Sequence, residues 1–258
     1  MKLPFKDCTI LITGASSGLG RAMAIELGGA GAELVLVGRS AEQLDATAAA
    51  IKKAGGPPAL CAPMDLRERG PLADLIGRLG GEQRRLFAVI NNAGIMHPEP
   101  VMSGTVDRWQ AMFDVNVLAP LEACQAAIKV MRAARKPGYL INVSSFLSRS
   151  ETGGVYGASK AALAMISRSI RAELQQDDIR ICNITPGIFA TQSIRGFAPA
   201  ELARAGAALE KQGLTGREEK HFGDPAHVAR MVRYVLEQPI DLNIFEVEIR
   251  PPIDFKYT

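Results

Sequence analysis

The sequence has few cysteines, few histidines and few aromatic side chains. Its 258 residues include four Cys, three His and one Trp, and only 5% are aromatic. The four cysteines stand far apart in apolar runs, and no spacing typical of a metal site appears. The sequence therefore predicts no disulfide framework and no metal centre. It favours reduced, buried thiols in a cytoplasmic protein. These cysteines are Cys8, Cys61, Cys124 and Cys182.

Long apolar runs and clusters of like charge are also missing. No window approaches the ~20 apolar residues of a membrane-spanning helix, and no stretch typical of a signal peptide precedes Gly14. The formal net charge is only +3, without a concentrated Lys/Arg run. We therefore expect neither nucleic acid nor a membrane as a partner. What is present is a composition ordinary for a globular protein, with 47% hydrophobic residues.

Short apolar runs alternate with longer, Ala-rich amphipathic stretches along the chain. The runs are apolar at consecutive positions, a pattern typical of parallel strands that are covered on both faces. The predicted strands lie at 9–13, 33–37, 59–62, 87–91, 139–143, 179–184 and 244–249. Helical stretches at 20–30, 41–54 and 156–174 separate some of them. The sequence therefore predicts an α/β, doubly wound (Rossmann) parallel sheet of about seven strands with helices on both faces, in a single domain over 1–258.

The alternation is interrupted after the sixth predicted strand, where the segment 192–223 is rich in Gly, Ala and charge. Asp224-Pro225 is expected to start the next helix, with Asp at the cap and Pro in the first turn. Ligands of a doubly wound sheet bind at the carboxyl ends of its strands, and this segment follows such an end. We therefore expect a substrate lid at 192–223.

A glycine-rich turn after the first strand is the first sign of a cofactor. From Thr13 the sequence reads T-G-A-S-S-G-L-G, with glycines at Gly14, Gly18 and Gly20. Glycines let backbone N–H groups approach a pyrophosphate, and the N-terminus of the following helix adds a favourable dipole. Such a turn alone could be an ordinary strand–helix connection. Its position in the first βαβ unit favours a dinucleotide site.

The end of the second predicted strand bears on which dinucleotide is bound. An acidic residue there would bond the ribose hydroxyl of NAD, whereas an arginine accommodates the 2′-phosphate of NADP. Here Gly38 stands where an acid would, and Arg39 follows it. A guanidinium offers a planar pair of donors to a phosphate, so the sequence favours NADP(H) over NAD(H). Alternatively, Arg39 stacks on the adenine or caps a helix.

Tyr156 and Lys160 lie four positions apart on a predicted helix, so their side chains share one face. A free phenol has a pKa near 10 and is a poor acid–base at neutral pH. A nearby cation lowers that pKa towards the working range, and Lys160 supplies one. The pair alone is common on helices. With the glycine turn and the upstream serines Ser144 and Ser145, it predicts a proton-transfer site.

These motifs, taken in order from Thr13 to Thr191, resemble the short-chain dehydrogenase/reductase family. The further matches are Asn91-Asn92-Ala93-Gly94, Asn116, Ser144-Ser145 and Pro186-Gly187-x-x-x-Thr191. The resemblance implies an NADP(H)-dependent oxidoreductase that interconverts a carbonyl and an alcohol of a small molecule. It also implies a homodimer or homotetramer. The alternative is a non-catalytic NADP(H)-binding sensor, a class that tends to lose the tyrosine or the lysine.

The resemblance also implies roles for individual residues. Tyr156 transfers the proton, Ser145 orients the substrate oxygen, and Lys160 also bonds the nicotinamide ribose. Asn116 anchors a water in a proton relay, or braces a helix distortion, or both. Asp65 contacts the adenine, or caps a helix, or both. The implied cofactor-binding residues are Gly14, Ser16, Ser17, Gly18, Leu19, Gly20, Arg39, Asp65, Leu66, Asn92, Ala93, Gly94, Tyr156, Lys160, Pro186, Gly187, Ile188 and Thr191.

The chain departs from the family pattern in the loop before the tyrosine. Tyr156 follows Ser145 by eleven positions, a couple fewer than family members usually have. The shorter loop leaves Ser144 and Ser148 as alternatives to Ser145. It also predicts a changed wall of the substrate pocket.

Overall fold

The computed structural model describes residues 4–81, 85–97, 99–189 and 223–251. The strands are β1 (Thr9–Thr13), β2 (Glu33–Gly38), β3 (Leu60–Pro63), β4 (Leu86–Asn91), β5 (Gly138–Val143), β6 (Ile179–Pro186) and β7 (Glu246–Ile249). The helices are α1 (Gly18–Gly29), α2 (Ala41–Lys53), α3 (Pro71–Gly81), α4 (Val106–Phe113), α5 (Ala119–Ala134), α6 (Gly154–Glu173) and α7 (Pro225–Leu236).

The seven strands form one parallel sheet in the order β3-β2-β1-β4-β5-β6-β7. Strands β1, β4 and β5 are buried at every position because helices cover both faces. One apolar cluster packs this sheet against α1, α2 and α7, and a second packs it against α3, α5 and α6. The predicted doubly wound α/β fold is confirmed, and each predicted strand overlaps an observed one.

Helix α7 begins as the sequence predicted. The Asp224 carboxylate accepts a hydrogen bond from the Ala226 N–H at 2.9 Å, and Pro225 occupies the first turn. Most of the predicted lid lies outside the described residues, as does Thr191. Gly223, at the end of that segment, forms an isolated parallel bridge with Phe189.

The four cysteines are free thiols. Cys8, Cys124 and Cys182 are buried, but Cys61 is only partly buried. The expectation of four buried thiols is therefore wrong for Cys61, which lies on β3 at the edge of the sheet. Within the described ranges, no helix combines the length and apolar character needed to cross a membrane. In the same part of the chain, no group of His, Cys, Asp and Glu side chains has the arrangement of a metal site.

Candidate active site

The predicted site residues follow the carboxyl ends of neighbouring strands. Gly14 follows β1, Arg39 follows β2, Asn92 follows β4, Ser145 follows β5 and Gly187 follows β6. Because the strands are parallel, these ends meet at one edge of the sheet. The strand order reverses between β1 and β4, and such a switch point is where doubly wound folds bind ligands.

The glycine turn is packed too closely against its neighbours to carry side chains at two positions. Gly14 has φ +67°, and a Cβ on it would stand 2.9 Å from the Cα of Ala93. A Cβ on Gly20 would stand 2.6 Å from Nδ2 of Asn92. Any larger residue would therefore displace the backbone of the turn, since both distances are shorter than carbon atoms tolerate.

Hydrogen bonds from the strand β4 end hold this turn in place. The Thr13 hydroxyl accepts from the N–H groups of Asn92 (3.0 Å) and Ala93 (3.1 Å). The Asn92 side chain donates to the carbonyls of Thr13 (3.0 Å) and Gly14 (3.3 Å). Asn92 therefore braces the turn through its side chain. Thr13, which the sequence reasoning did not include among the site residues, joins β1 to β4.

The N-terminus of α1 is open to an anion. Its N-cap, Ser17, has extended backbone angles and makes no side-chain capping bond, and the first turn carries no acid. The N–H groups of that turn have no intrahelical partner, and the helix dipole there favours negative charge. Ser16 lies beside the end of β2, since its Oγ is 3.4 Å from where a Cβ on Gly38 would stand.

Arg39 is exposed at the end of β2. It does not cap α2, because Ser40 is the N-cap and accepts from the Gln43 N–H at 3.2 Å. No ion pair of Arg39 occurs among the residues that the structure describes. Its guanidinium thus stands at the sheet edge beside Gly38 without an ion pair to a described residue, although it is near enough to the Asp65 carboxylate to contribute to the lowered pKa of that group.

Asp65 is engaged by a neighbouring arginine. Its carboxylate accepts from the Arg67 backbone N–H and from the Arg67 Nε, both at 3.0 Å. Hydrogen bonds from the Arg67 side chain, then from its backbone, hold the pKa of Asp65 at about 2. The helix-cap interpretation of Asp65 is wrong, because α3 begins only at Pro71. The following residue, Leu66, is buried in the core.

Lys160 and Tyr156 lie in the first turns of α6, on the face towards β5. The Lys160 ammonium donates to the Val143 carbonyl at 2.8 Å, and the Ser144 hydroxyl donates to the Lys160 carbonyl at 3.2 Å. The lysine is 3% exposed. Burial lowers the pKa of Lys160 to about 8, because the charged form loses its hydration.

The Tyr156 phenol lies near the Ser145 hydroxyl, close enough for that hydroxyl to influence its pKa. Burial raises the pKa of Tyr156 above its ordinary value, and the interaction with Ser145 acts in the opposite direction. The sequence led us to expect a pKa lowered by Lys160. In the structure the loss of hydration is larger than any effect of the lysine, whose ammonium is bonded to a backbone carbonyl instead.

The structure distinguishes the candidate serines by their directions. Ser144 is buried and points to the backbone of α6. Ser145 is the N-cap of a 3₁₀ turn, accepts from the Leu147 N–H at 3.2 Å, and reaches Tyr156. Adjacent residues of an extended segment point to opposite sides, which explains why only one of these two faces the tyrosine.

Asn116 lies in a π-helical turn, Asp114–Leu118, between α4 and α5. Its Oδ1 accepts from the Ile95 N–H at 2.9 Å, and its Nδ2 donates to the Ile95 carbonyl and to Ser159 Oγ, both at 3.0 Å. Gly94 leaves room for this arrangement, since a Cβ there would stand 3.3 Å from both Asn116 Oδ1 and Lys160 Nζ. The predicted brace and the predicted helix distortion are therefore both present.

Replacing Lys160 by methionine is expected to stabilise the protein without cofactor. The pKa of Lys160 is about 8 when folded and ~10.4 when unfolded, so the folded state bears a penalty of about 3 kcal/mol at pH 7. Part of the gain is lost because the Val143 carbonyl loses its donor. We expect Lys160→Met to be about 1–2 kcal/mol more stable in urea unfolding at pH 7.

The pH dependence of the unfolding free energy tests the direction of this stability change. Between about pH 8 and pH 10 the unfolded chain binds more protons at Lys160 than the folded one, so wild-type stability rises with pH there. In Lys160→Met this rise is expected to be smaller, whereas the exposed Lys129→Met serves as a control with an unchanged profile. A variant that is less stable at pH 7, with the wild-type slope retained, would contradict the desolvation of Lys160.

The comparisons with known proteins agree with the fold and the motifs. A sequence model described as short chain dehydrogenase matches residues 8–201. The chain belongs to the short-chain dehydrogenase family. The family predicted from the motifs is thereby confirmed, and the protein is an oxidoreductase of that family.

Several known proteins resemble this one over nearly its whole length. An uncharacterized oxidoreductase of Listeria innocua is 32% identical over 253 residues, which cover 96% of this chain and 98% of that one. A crystal structure of a metagenomic short-chain oxidoreductase in complex with NADP is 27% identical and covers 97% of this chain and 100% of that chain, with a TM-score of 0.79. The closed form of serine dehydrogenase complexed with NADP⁺ is 25% identical and covers 94% of each chain, with a TM-score of 0.78.

Proposed function

We propose that this short-chain dehydrogenase interconverts a carbonyl and an alcohol of a small molecule on NADP(H), with Tyr156 as the general acid and base. The observation that carries the proposal is that the Tyr156 phenol and the Ser145 hydroxyl lie close together next to the buried Lys160. A phenol, a hydroxyl and an ammonium at one strand end are the groups that hold a substrate oxygen and exchange a proton with it.

The residues at the sheet edge fit a dinucleotide. The turn at Gly14 and Gly20 is too closely packed to carry side chains, and the open first turn of α1 that follows it suits a pyrophosphate. Arg39 would bind the 2′-phosphate, and Lys160 would hold the nicotinamide ribose. When bound, the nicotinamide supplies or accepts the hydride. Two of the similar structures contain NADP, which supports this cofactor.

The chain's own residues handle the substrate oxygen and its proton. Ser145 would hold the oxygen by a hydrogen bond while Tyr156 gives it a proton in the direction of reduction. The raised pKa of Tyr156 keeps the phenol protonated at neutral pH, which suits that direction. In alcohol oxidation the phenol must first lose its proton, so that direction gains rate as the pH rises.

Asn116 would take part in returning the proton through its backbone. The side-chain amide nitrogen already donates two hydrogen bonds, one to the Ile95 carbonyl and one to the Ser159 hydroxyl. A π-helical turn lengthens the spacing of the helix bonds, and such turns often occur at functional sites. We therefore assign the binding of a relay water to the main-chain carbonyl of Asn116 rather than to its side-chain amide.

The test of this function is the oxidation of NADPH and NADH in the presence of ketones, aldehydes and 3-keto acids. We expect turnover with at least one carbonyl, and a kcat/KM for NADPH about 10-fold or more above that for NADH. Tight binding of NADPH without turnover on any member of the panel would favour the alternative, a non-catalytic sensor.

Three further parts of the proposal rest on the sequence and the family. We assign residues 1–258 to a single domain in which 192–223 covers the substrate. We expect a homodimer or homotetramer, as the family resemblance implies. The free cysteines are consistent with a cytoplasmic location, since reduced thiols are usual there.

A further inference from the structure

The connection between Ser145 and Tyr156 is short and tightly folded. It consists of two successive 3₁₀ turns, Phe146–Arg149 and Glu151–Gly153, and α6 begins at the next residue. A connection folded in this way has little freedom to extend. The position of the loop on α6 therefore influences the relative position of the serine and the tyrosine at its two ends.

The outer side of the loop is fixed to strand β7. Arg149 forms ion pairs with Glu246 and, at 3.1 Å, with Glu248. The guanidinium of Arg250, which follows β7, lies 5.6 Å from the centre of the Phe146 ring. Moving the loop outwards would disturb both contacts.

On its inner side, the loop fits into a notch formed by Gly153 and Gly157, which we call the glycine notch. The notch receives the carbonyl of Leu147. A Cβ on Gly157 would stand 2.5 Å from that carbonyl oxygen, and a Cβ on Gly153 would stand even closer. Both glycines are buried. Any side chain at either position would therefore take the space of the Leu147 carbonyl.

We propose that the glycine notch positions Ser145 against Tyr156, so that Gly153 and Gly157 are positioning residues of the site; this inference rests on the proposed function. Leu147 links the glycine notch to the serine. Its carbonyl lies in the notch, and its N–H donates to the Ser145 hydroxyl at 3.2 Å. The depth to which the carbonyl enters the notch thus sets where the serine hydroxyl lies.

The shortness of the loop makes this dependence strong. A longer connection would absorb a displaced carbonyl by moving away from α6, but here the contacts of Arg149 and Arg250 with neighbouring side chains oppose that movement. A methyl group at position 157 would push Leu147 back by up to ~1 Å, and errors of this size in a catalytic geometry cost up to about 10²-fold in rate. The glycine directly after the tyrosine is thus a requirement of this chain's short loop.

Gly157→Ala tests the inference. We expect kcat per NADPH-binding site to fall by about 10- to 10²-fold, while the Kd for NADPH stays within about twofold because the turn after β1 is untouched. The pH profile of alcohol oxidation should also move to higher pH, since the interaction with Ser145 that lowers the pKa of Tyr156 is weakened. If the substitution only caused part of the protein to misfold, the number of NADPH-binding sites would fall but the pH profile would not move.

Two comparisons make the outcome decisive. Gly77→Ala on α3 is the matched control, because a Cβ there meets nothing within 4 Å, and it should leave kcat and the pH profile unchanged. In a Ser145→Ala background, Gly157→Ala should cost less than about twofold more, because the group that the notch positions is already gone. Gly153→Ala, which presses on the same carbonyl, should repeat the pattern of Gly157→Ala.

Wild-type kcat in Gly157→Ala, an unmoved pH profile, or an equal loss in the Ser145→Ala background would overturn the positioning role. The proposed function has a separate test in Tyr156→Phe. If Tyr156→Phe is inactive and Gly157→Ala is normal, only the role of the notch fails. If Tyr156→Phe keeps wild-type turnover, the proposed function fails.

Discussion

Tyr156→Phe is expected to lower kcat by about 10²- to 10⁴-fold, the usual contribution of a general acid or base. The variant loses only the hydroxyl that lies near Ser145, and the ring keeps its place on α6. The affinity for NADPH should stay within about twofold, since the glycine turn and Arg39 are unchanged. Steady-state rates with a reducible carbonyl, together with a binding titration of NADPH, measure both quantities.

The control for this variant is Tyr234→Phe. Tyr234 lies on α7 and is 54% exposed, so removing its hydroxyl should leave kcat and NADPH binding unchanged. A kcat for Tyr156→Phe within a few-fold of the wild type would show that another group transfers the proton. Equal losses in kcat and in NADPH binding would instead indicate that the ring position had changed.

Arg39→Ala is expected to lower kcat/KM for NADPH by about 10- to 10²-fold and to leave kcat/KM for NADH nearly unchanged. The loss corresponds to the ~1.5–3 kcal/mol of a hydrogen bond to a charged group. The physical reason is that Arg39 stands exposed at the end of β2, where the strand ends in Gly38 rather than in an acidic residue. Initial rates with each cofactor at several concentrations give the two ratios.

Two outcomes separate phosphate binding from the other roles of Arg39. Equal losses with both cofactors would indicate stacking on the adenine, which NADPH and NADH share. No loss with either would exclude Arg39 from the site. Arg230→Ala, an exposed arginine on α7, removes the same charge elsewhere and should change neither ratio.

The sequence predicted the sheet well because a single physical cause determines each of its strands. A run such as Ile10–Ile12 is apolar at consecutive positions, and in the structure these positions are fully buried on both faces of β1. The same holds for Leu140 and Ile141 on β5. Parallel strands that are covered by helices on both sides need this pattern, so the pattern itself located the strands and the edge at which the site lies.

The sequence predicted less about how the site residues are held. Thr13 and Asn92 are 79 positions apart, and their mutual hydrogen bonds follow from the packing of β1 beside β4 rather than from any local motif. Asp65 could also have been a helix cap, and only the late start of α3 at Pro71 excludes that role. Such long-range or boundary-dependent contacts are set by tertiary structure.

The protonation of Tyr156 is a second property that local reasoning did not predict. Its spacing from Lys160 indicated a lowered pKa, because a charge four residues away lies on the same helix face. Burial acts on both groups, however, and it raises the pKa of the phenol while lowering that of the ammonium. The balance depends on how deeply α6 packs against β5, which the order of residues on one helix does not specify.

Hydride transfer is measured most simply by the transfer of deuterium from NADPH that carries deuterium at both C4 positions of the dihydronicotinamide. We predict that the wild type, with a carbonyl substrate, places one deuterium on the carbinol carbon of the product for each NADPH oxidised. Tyr156→Phe should form that labelled product at a rate lower by the factor found for kcat. Oxidation of NADPH without deuterium on the product carbon, or no oxidation with any carbonyl while NADPH binds tightly, would contradict hydride transfer as the function of this site.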